Sequence, residues 1–217
     1  MKKIVLALFI CMTGVLVVNA QSTKVLMKTD MGDIILMLYD DTPMHKENFI
    51  ELVKEKFYDG ILFHRVIPSF MIQAGDPGYR VNDKGDRISG PKADQKIPAE
   101  FKTNHYHKKG ALAAARTPDR VNPKKASSGS QFYIVDGKKW TKEQLDIMDK
   151  TRKSKFTDEE RKNYMEVGGR PDLDFEYTVF GELLSGIDVV EAIAKVERNE
   201  TNKPVKNIRI ISARIIQ

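Results

Sequence analysis

Cysteine is almost absent from this sequence. Of 217 residues one is cysteine, Cys11, and it lies in the apolar stretch near the start. Once that stretch is removed, the chain can form no disulfide, offer no thiolate to a metal and use no thiol nucleophile. Such a chain suits an oxidising compartment without depending on it. Strong charge is missing too. The formal net charge of +6 is mild and argues little for nucleic acid. No internal repeat and no low-complexity linker breaks the chain. The apolar fraction of 41% is enough for a packed core and too high for a disordered chain.

Residues 1–20 have the pattern of a secretory leader: Lys2-Lys3, an apolar run from Ile4 to Val18, then Val18-Asn19-Ala20 before Gln21. The run is short of the roughly 20 residues that span a bilayer. Ile10 stands before Cys11, where a lipid-attachment site would have a small residue. Cleavage after Ala20 removes two lysines, and the remaining 34 basic and 30 acidic residues carry +4. The expectation is an exported protein, periplasmic or secreted, with one domain over 21–217 and no stable membrane anchor.

The chain then reads in order. Residues 24–29 and 33–39 are expected as strands of a hairpin turning at Asp30-Met31-Gly32. The run Ile34-Ile35-Leu36-Met37-Leu38 suggests a strand covered on both faces. Thr42-Pro43 opens a helix, with Thr42 as its cap and Pro43 at its first position. Phe49, Leu52, Val53 and Phe57 form its buried stripe, and His45 reads as a surface residue. Residues 75–100, with Asp76-Pro77-Gly78, Lys84-Gly85 and Ser89-Gly90-Pro91, form a long loop. His105-Tyr106-His107 invites a metal, but no third histidine or carboxylate sits near it in sequence and Lys108-Lys109 would repel a cation, so no metal site is expected.

Gly110 to Ala115 is a run of small residues, read as a strand. Its small side chains serve either a closely approaching ligand or tight internal packing. Residues 131–135 form another strand, with Gln131 and Tyr133 on one face and Phe132 and Ile134 on the other. Residues 138–170 look like a helical insertion. Thr141-Lys142-Glu143-Gln144 and Thr157-Asp158-Glu159-Glu160 are both capping boxes. Leu145, Ile147 and Met148 pack one helix, and Phe156, Tyr164 and Met165 the other. Trp140 anchors the unit and Gly168-Gly169 ends it. A strand over 177–184, a helix over 188–195 with Asp188 and Glu191 as a capping box, and a last strand over 208–216 complete the chain. About eight strands and two main helices fit a closed eight-stranded antiparallel β-barrel. Periodicity alone does not separate it from a sandwich.

One stretch stands out: Phe63-His64-Arg65-Val66-Ile67-Pro68-Ser69-Phe70-Met71-Ile72-Gln73-Ala74-Gly75-Asp76. A period of two puts Phe63, Arg65 and Ile67 on one face. Arginine between bulky apolar residues is unusual, since its five donors need partners wherever they are covered. The ordinary reading is a rim residue with a snorkelling stem. The stretch resembles the signature of the cyclophilin family of peptidyl-prolyl isomerases, with Ala74 where the family has Gly. Gly129-Ser130-Gln131-Phe132-Tyr133-Ile134 is similar to a second signature, with Tyr133 where many members have Phe. Gly110 to Arg116 and Tyr177-Thr178-Val179-Phe180-Gly181 resemble two further family segments, in the family's order, and the helical insertion is extra.

The resemblance implies an eight-stranded barrel capped by two helices. It implies cis/trans isomerisation of the bond preceding proline, with proline-containing peptides and folding proteins as partners and no cofactor. By position, Arg65 and Gln73 are the implied catalytic residues. Phe70, Met71, Tyr133 and Leu173 are implied around the proline ring, and Ala115, Arg116 and Gln131 along the adjoining groove. Tyr177 stands where members often have His. Asp172 stands where drug-sensitive members have Trp, which implies weak cyclosporin binding. A monomer without nucleic-acid partners is expected. The alternatives are a non-catalytic peptide-binding or chaperone module, and a nucleic-acid binder resting on Lys138-Lys139 and the basic run over 150–155.

Overall fold

A computed structural model describes residues 23–87, 95–152 and 154–216. The expected leader, Ser89-Gly90-Pro91 of the long loop and Lys153 of the basic run lie outside them. The elements in order are β1 (Lys24–Thr29), β2 (Gly32–Leu38), α1 (Pro43–Lys54), β3 (Arg65–Ile67), β4 (Met71–Ala74), β5 (Lys96–Ile97) and β6 (Ala111–Ala114). There follow β7 (Ser127–Ser128), β8 (Phe132–Val135), α2 (Lys142–Met148), α3 (Asp158–Glu166), β9 (Val179–Ser185), α4 (Ile187–Ala194) and β10 (Ile210–Ile216).

Eight strands form one curled antiparallel sheet in the order β10-β1-β2-β9-β6-β8-β4-β3, and β5 pairs with β7 apart from it. The expected closed barrel is corrected here: the sheet is open, because its end strands β3 and β10 share no ladder. The gap is spanned by irregular chain before β3. Gly60 N–H donates to Ile210 O, Ile210 N–H to Ile61 O and Phe63 N–H to Ile208 O, at 2.8, 2.8 and 2.9 Å. Phe63 therefore does not share a face with Arg65 and Ile67. It turns into the core beside Val66, since period two holds only within the ladder.

Alternation sorts the side chains. Val25, Met27, Ile34, Leu36 and Leu38 fill the inside of the curl together with Phe49 and Val53 of α1. Ile35 and Met37 are half-buried, so β2 is not fully covered on both faces as its apolar run suggested. Val190, Ile193 and Ala194 of α4 join the same core. Both main helices start differently from expectation. Thr42 makes no side-chain cap to α1. The Glu100 carboxylate accepts from Met44 N–H at 3.2 Å and His45 N–H at 3.0 Å instead, an acid at a helix N-terminus supplied from elsewhere in the chain. Gly186, at φ 96°, precedes α4, so Asp188 lies inside its first turn and no capping box forms.

The insertion folds around its own small core of Leu145, Phe156 and Tyr164. Both capping boxes form, and Trp140 donates its indole N–H to Gly169 O at 2.9 Å. Ile147 and Met165 are exposed rather than packed, which leaves one short apolar stripe per helix.

Candidate functional site

The β3–β4 turn sets the geometry. Phe70 N–H donates to Ile67 O at 3.1 Å, with Pro68 second and Ser69, at φ 60°, third, the marks of a type II turn. The Asp136 carboxylate accepts from Ser69 N–H at 2.6 Å. Asp136 and Gly137 N–H both donate to Phe70 O, at 3.0 and 3.1 Å. The turn tip is thus fastened to the end of β8, and Phe70 with it.

The register aligns a row across four strands. Arg65 opposes Gln73, Gln73 opposes Tyr133, and Tyr133 opposes Ala113. This row lies on the face away from the main core, where Met71, Ala111, Ala113, Tyr133 and Val179 form a second apolar cluster. Phe132 and Ile134 point the other way into the main core, as the alternation of β8 predicts. The small-residue strand serves both readings left open for it. Ala113 packs tightly beneath Tyr133, and Ala115 lines open space.

That space is a pocket of about 90 Å³. A cavity of ~150 Å³ takes benzene, so this one suits a five-membered ring. Nine of the residues expected at the site meet here: Arg65, Phe70, Met71, Gln73, Ala115, Arg116, Tyr133, Leu173 and Tyr177. The 3-10 turn Pro171–Leu173 presents Leu173, and Tyr177 N–H bonds back to Leu173 O. Gln131 stands beside the pocket, accepting from Gln73 Nε2 at 3.1 Å and donating to Asp76 Oδ2 at 3.3 Å.

The two arginines differ. Among the described residues, the Arg65 side chain makes no ion pair or hydrogen bond; its guanidinium carbon lies 5.5 Å from the Phe70 ring centre. Arg116 is fully engaged. Its Nε donates to Glu176 O at 2.6 Å, it pairs with the Glu176 and Asp119 carboxylates, and it covers the Tyr177 ring at 4.6 Å. Arg116 therefore braces the Tyr177 wall, while the donors of Arg65 are uncommitted. Tyr133 also packs edge-on against Tyr177, at 5.8 Å. Burial first, then the nearby Tyr177, Asp174 and Asp172, pushes the Tyr133 hydroxyl well above its ordinary value, so it stays a neutral donor.

Three residues here were not anticipated. Arg170 lies over Phe70 at 3.8 Å, held by Asp172 through bonds of 2.8 and 2.6 Å. His107, considered for a metal, instead contacts Asp174 and Tyr133 at 3.0 Å each. Asp174 had no local signal at all. His45 corrects the expectation of a surface residue: it is buried, with Nδ1 2.6 Å from Glu100 Oε2 and Nε2 2.9 Å from Ser127 Oγ. The order of groups resembles a hydrolase relay, but Ser127 is 1% exposed. The trio clamps α1 to β7.

Residues 24–215 match the family described as cyclophilin type peptidyl-prolyl cis-trans isomerase/CLD. A protein of Staphylococcus saprophyticus, provisionally named a peptidyl-prolyl cis-trans isomerase, is 34% identical over 92% of this chain and 95% of its own. A Streptococcus pyogenes protein provisionally named a bifunctional phosphatase/peptidyl-prolyl cis-trans isomerase is 36% identical over 88% of this chain. The match spans only 38% of that longer protein. A crystal structure of a Cryptosporidium parvum cyclophilin type isomerase superposes with a TM-score of 0.65 at 23% identity, covering 91% of this chain and 99% of that one. A second structure of that protein, in the presence of the dipeptide Ala-Pro, gives 0.63 at 24% identity over 89% and 99%.

Proposed function

The chain belongs to the cyclophilin-type peptidyl-prolyl cis-trans isomerases, and from that premise we propose how its own residues carry the reaction. It catalyses rotation about Xaa-Pro peptide bonds. The uncatalysed barrier is about 18–20 kcal/mol, because amide resonance is lost as the bond twists. At the twisted state the prolyl nitrogen regains a lone pair and becomes pyramidal. A cationic donor aimed at that lone pair favours the twisted state over both planar ones, which is the requirement for acceleration.

Arg65 is that donor. Its free fork beside the apolar wall that Phe70, Met71 and Leu173 give a small pocket is the observation that carries the reading. The proline ring enters between Phe70, Met71, Leu173 and Tyr133, against which it loses water. Desolvation weakens the polar, planar amide relative to the twisted one. Gln73, fixed by Gln131, holds the substrate backbone across from Arg65. Ala115 leaves room for the residue before proline, and Arg116 keeps Tyr177 upright at the groove's edge. The Ala-Pro dipeptide present with the Cryptosporidium protein is a ligand of the class that fits a pocket of this size.

The residue pattern of 1–20 and a cysteine-free remainder support export, with a leader followed by one isomerase domain over 21–217, which we take to act as a monomer. It acts on folding proteins in the periplasm or outside the cell, and does not act on nucleic acid. Catalysed isomerisation of an Xaa-Pro peptide tests the assignment of Arg65. Arg65→Ala is expected to lower kcat/KM about ten- to a hundredfold, the worth of one charged hydrogen bond. Unchanged activity would move the chemistry to another residue.

A further inference from the structure

We propose that His107 and Asp174 are positioning residues for the prolyl pocket, and that through them the helical insertion sets the pocket's floor. The inference rests on the reading of the pocket around Arg65 as the proline site. Tyr133 forms that floor, and its hydroxyl lies 3.0 Å from His107 Nε2, with both groups buried. The two rings are nearly parallel, at 15°. On its other side His107 meets Asp174 twice: the backbone N–H donates to Oδ1 at 2.8 Å, and Nδ1 lies 3.0 Å from the same oxygen.

The directions of these bonds follow from the groups. The Asp174 side chain is 2% exposed and is ringed by donors, so its oxygens accept. His107 Nδ1–H then donates to Asp174 Oδ1, which leaves Nε2 facing the Tyr133 hydroxyl. Tyr133, whose hydroxyl is held protonated by burial, donates to it. With His107 held between Asp174 and Tyr133, the Tyr133 hydroxyl is tied down as well as its ring.

The anchor lies in the insertion. Asp174 Oδ2 accepts from Tyr164 Oη of α3 at 2.8 Å and from Arg152 after α2 at 3.2 Å. Tyr164 is fully buried in the insertion core, and Arg152 lies 3.6 Å over Phe156 of that core. One carboxylate thus joins two elements of the insertion to the wall that touches the proline ring. A Phe at position 133 would fill the same space with no hydroxyl to anchor, so the His107–Asp174 pair has a role tied to this tyrosine.

A double-mutant cycle on Xaa-Pro isomerisation tests this. Tyr133→Phe keeps the ring and removes the donor; His107→Ala removes the acceptor. Each is expected to lower kcat/KM about fivefold, the scale of one buried neutral hydrogen bond. The pair together loses no more than either alone, because both cut one interaction. His107→Gln, whose amide both donates and accepts, restores most of the activity. Tyr164→Phe, which keeps the buried ring, lowers kcat/KM about two- to threefold when assayed well below its melting transition, where the fold is intact. Tyr133→Phe with full activity, or losses that multiply in the double variant, would overturn the inference. If His107→Ala does not fold, Tyr133→Phe and His107→Gln decide the matter between them. An inactive wild type would count against the isomerase reading itself, whereas an active wild type disabled by Arg65→Ala and indifferent to Tyr133→Phe would count against this inference alone.

Discussion

Arg65 is a full charge on a three-residue strand whose neighbours Val66 and Ile67 are apolar, and its position was legible in the sequence because the short motif around it is dense. Its isolation was not legible. That depends on Arg116 and Arg170 being occupied elsewhere, by Glu176, Asp119 and Asp172. The Asp172–Arg170 pair has a consequence for inhibitors. Arg170 occupies one side of Phe70, and no indole stands at position 172. Micromolar cyclosporin is therefore expected to leave most of the isomerase activity, and full inhibition at that dose would contradict the account of this wall. One buried and one half-buried histidine give a second prediction. Burial first lowers the values of both His45 and His64, against the carboxylates Glu100 and Asp76, which act to raise them. A folded value below the unfolded one means the unfolded chain binds more protons. Stability is then complete above the ordinary histidine value of about 6.5 and declines as pH falls below it. Melting temperature should fall between pH 7 and 5 in this way, and His64→Gln should flatten part of that slope. A profile that rises over the same range would contradict it.

At the scale of elements, local rules worked where the partner is local and failed where it is distant. Both capping boxes of the insertion were legible because donor and acceptor are three residues apart. The start of α1 was not, since its cap is Glu100, about fifty residues on. The burial of His45 has the same cause: its partners Glu100 and Ser127 are brought to it by the loops around β5 and β7. Glu100→Ala removes a helix cap worth about 1 kcal/mol and leaves the buried His45 short of a partner at about 1–3 kcal/mol. The expected loss is about 2–4 kcal/mol, or a drop of roughly 5–15 °C in melting temperature for a chain of this size. A drop of a degree or less would show that α1 is held by its apolar face alone. Phe63 makes the same point for strands. Alternation assigned it to the face of Arg65, and pairing with Ile208, far away in sequence, turned it inward.

At the scale of the whole molecule, strand number and order of motifs were legible and closure was not, because closure is decided by how two ends of a sheet meet. The insertion was recognised as a unit, yet its link to the pocket runs through Asp174, a residue with no motif of its own. Export belongs to this scale as well. If residues 1–20 act as a leader, the protein recovered from the envelope or medium begins at Gln21, which N-terminal sequencing reads directly; a start at Met1 would remove that part of the account. The central claim remains that a planar, charged fork at position 65 stabilises the twisted amide. It is tested most directly by comparing wild type, Arg65→Lys and Arg65→Ala in isomerisation of one Xaa-Pro peptide, with peptide binding measured alongside. Lysine keeps the charge and loses the fork. The account predicts that binding changes little, that Arg65→Ala loses about ten- to a hundredfold in kcat/KM, and that Arg65→Lys lies between it and wild type. Full activity in both variants, with binding intact, would contradict it.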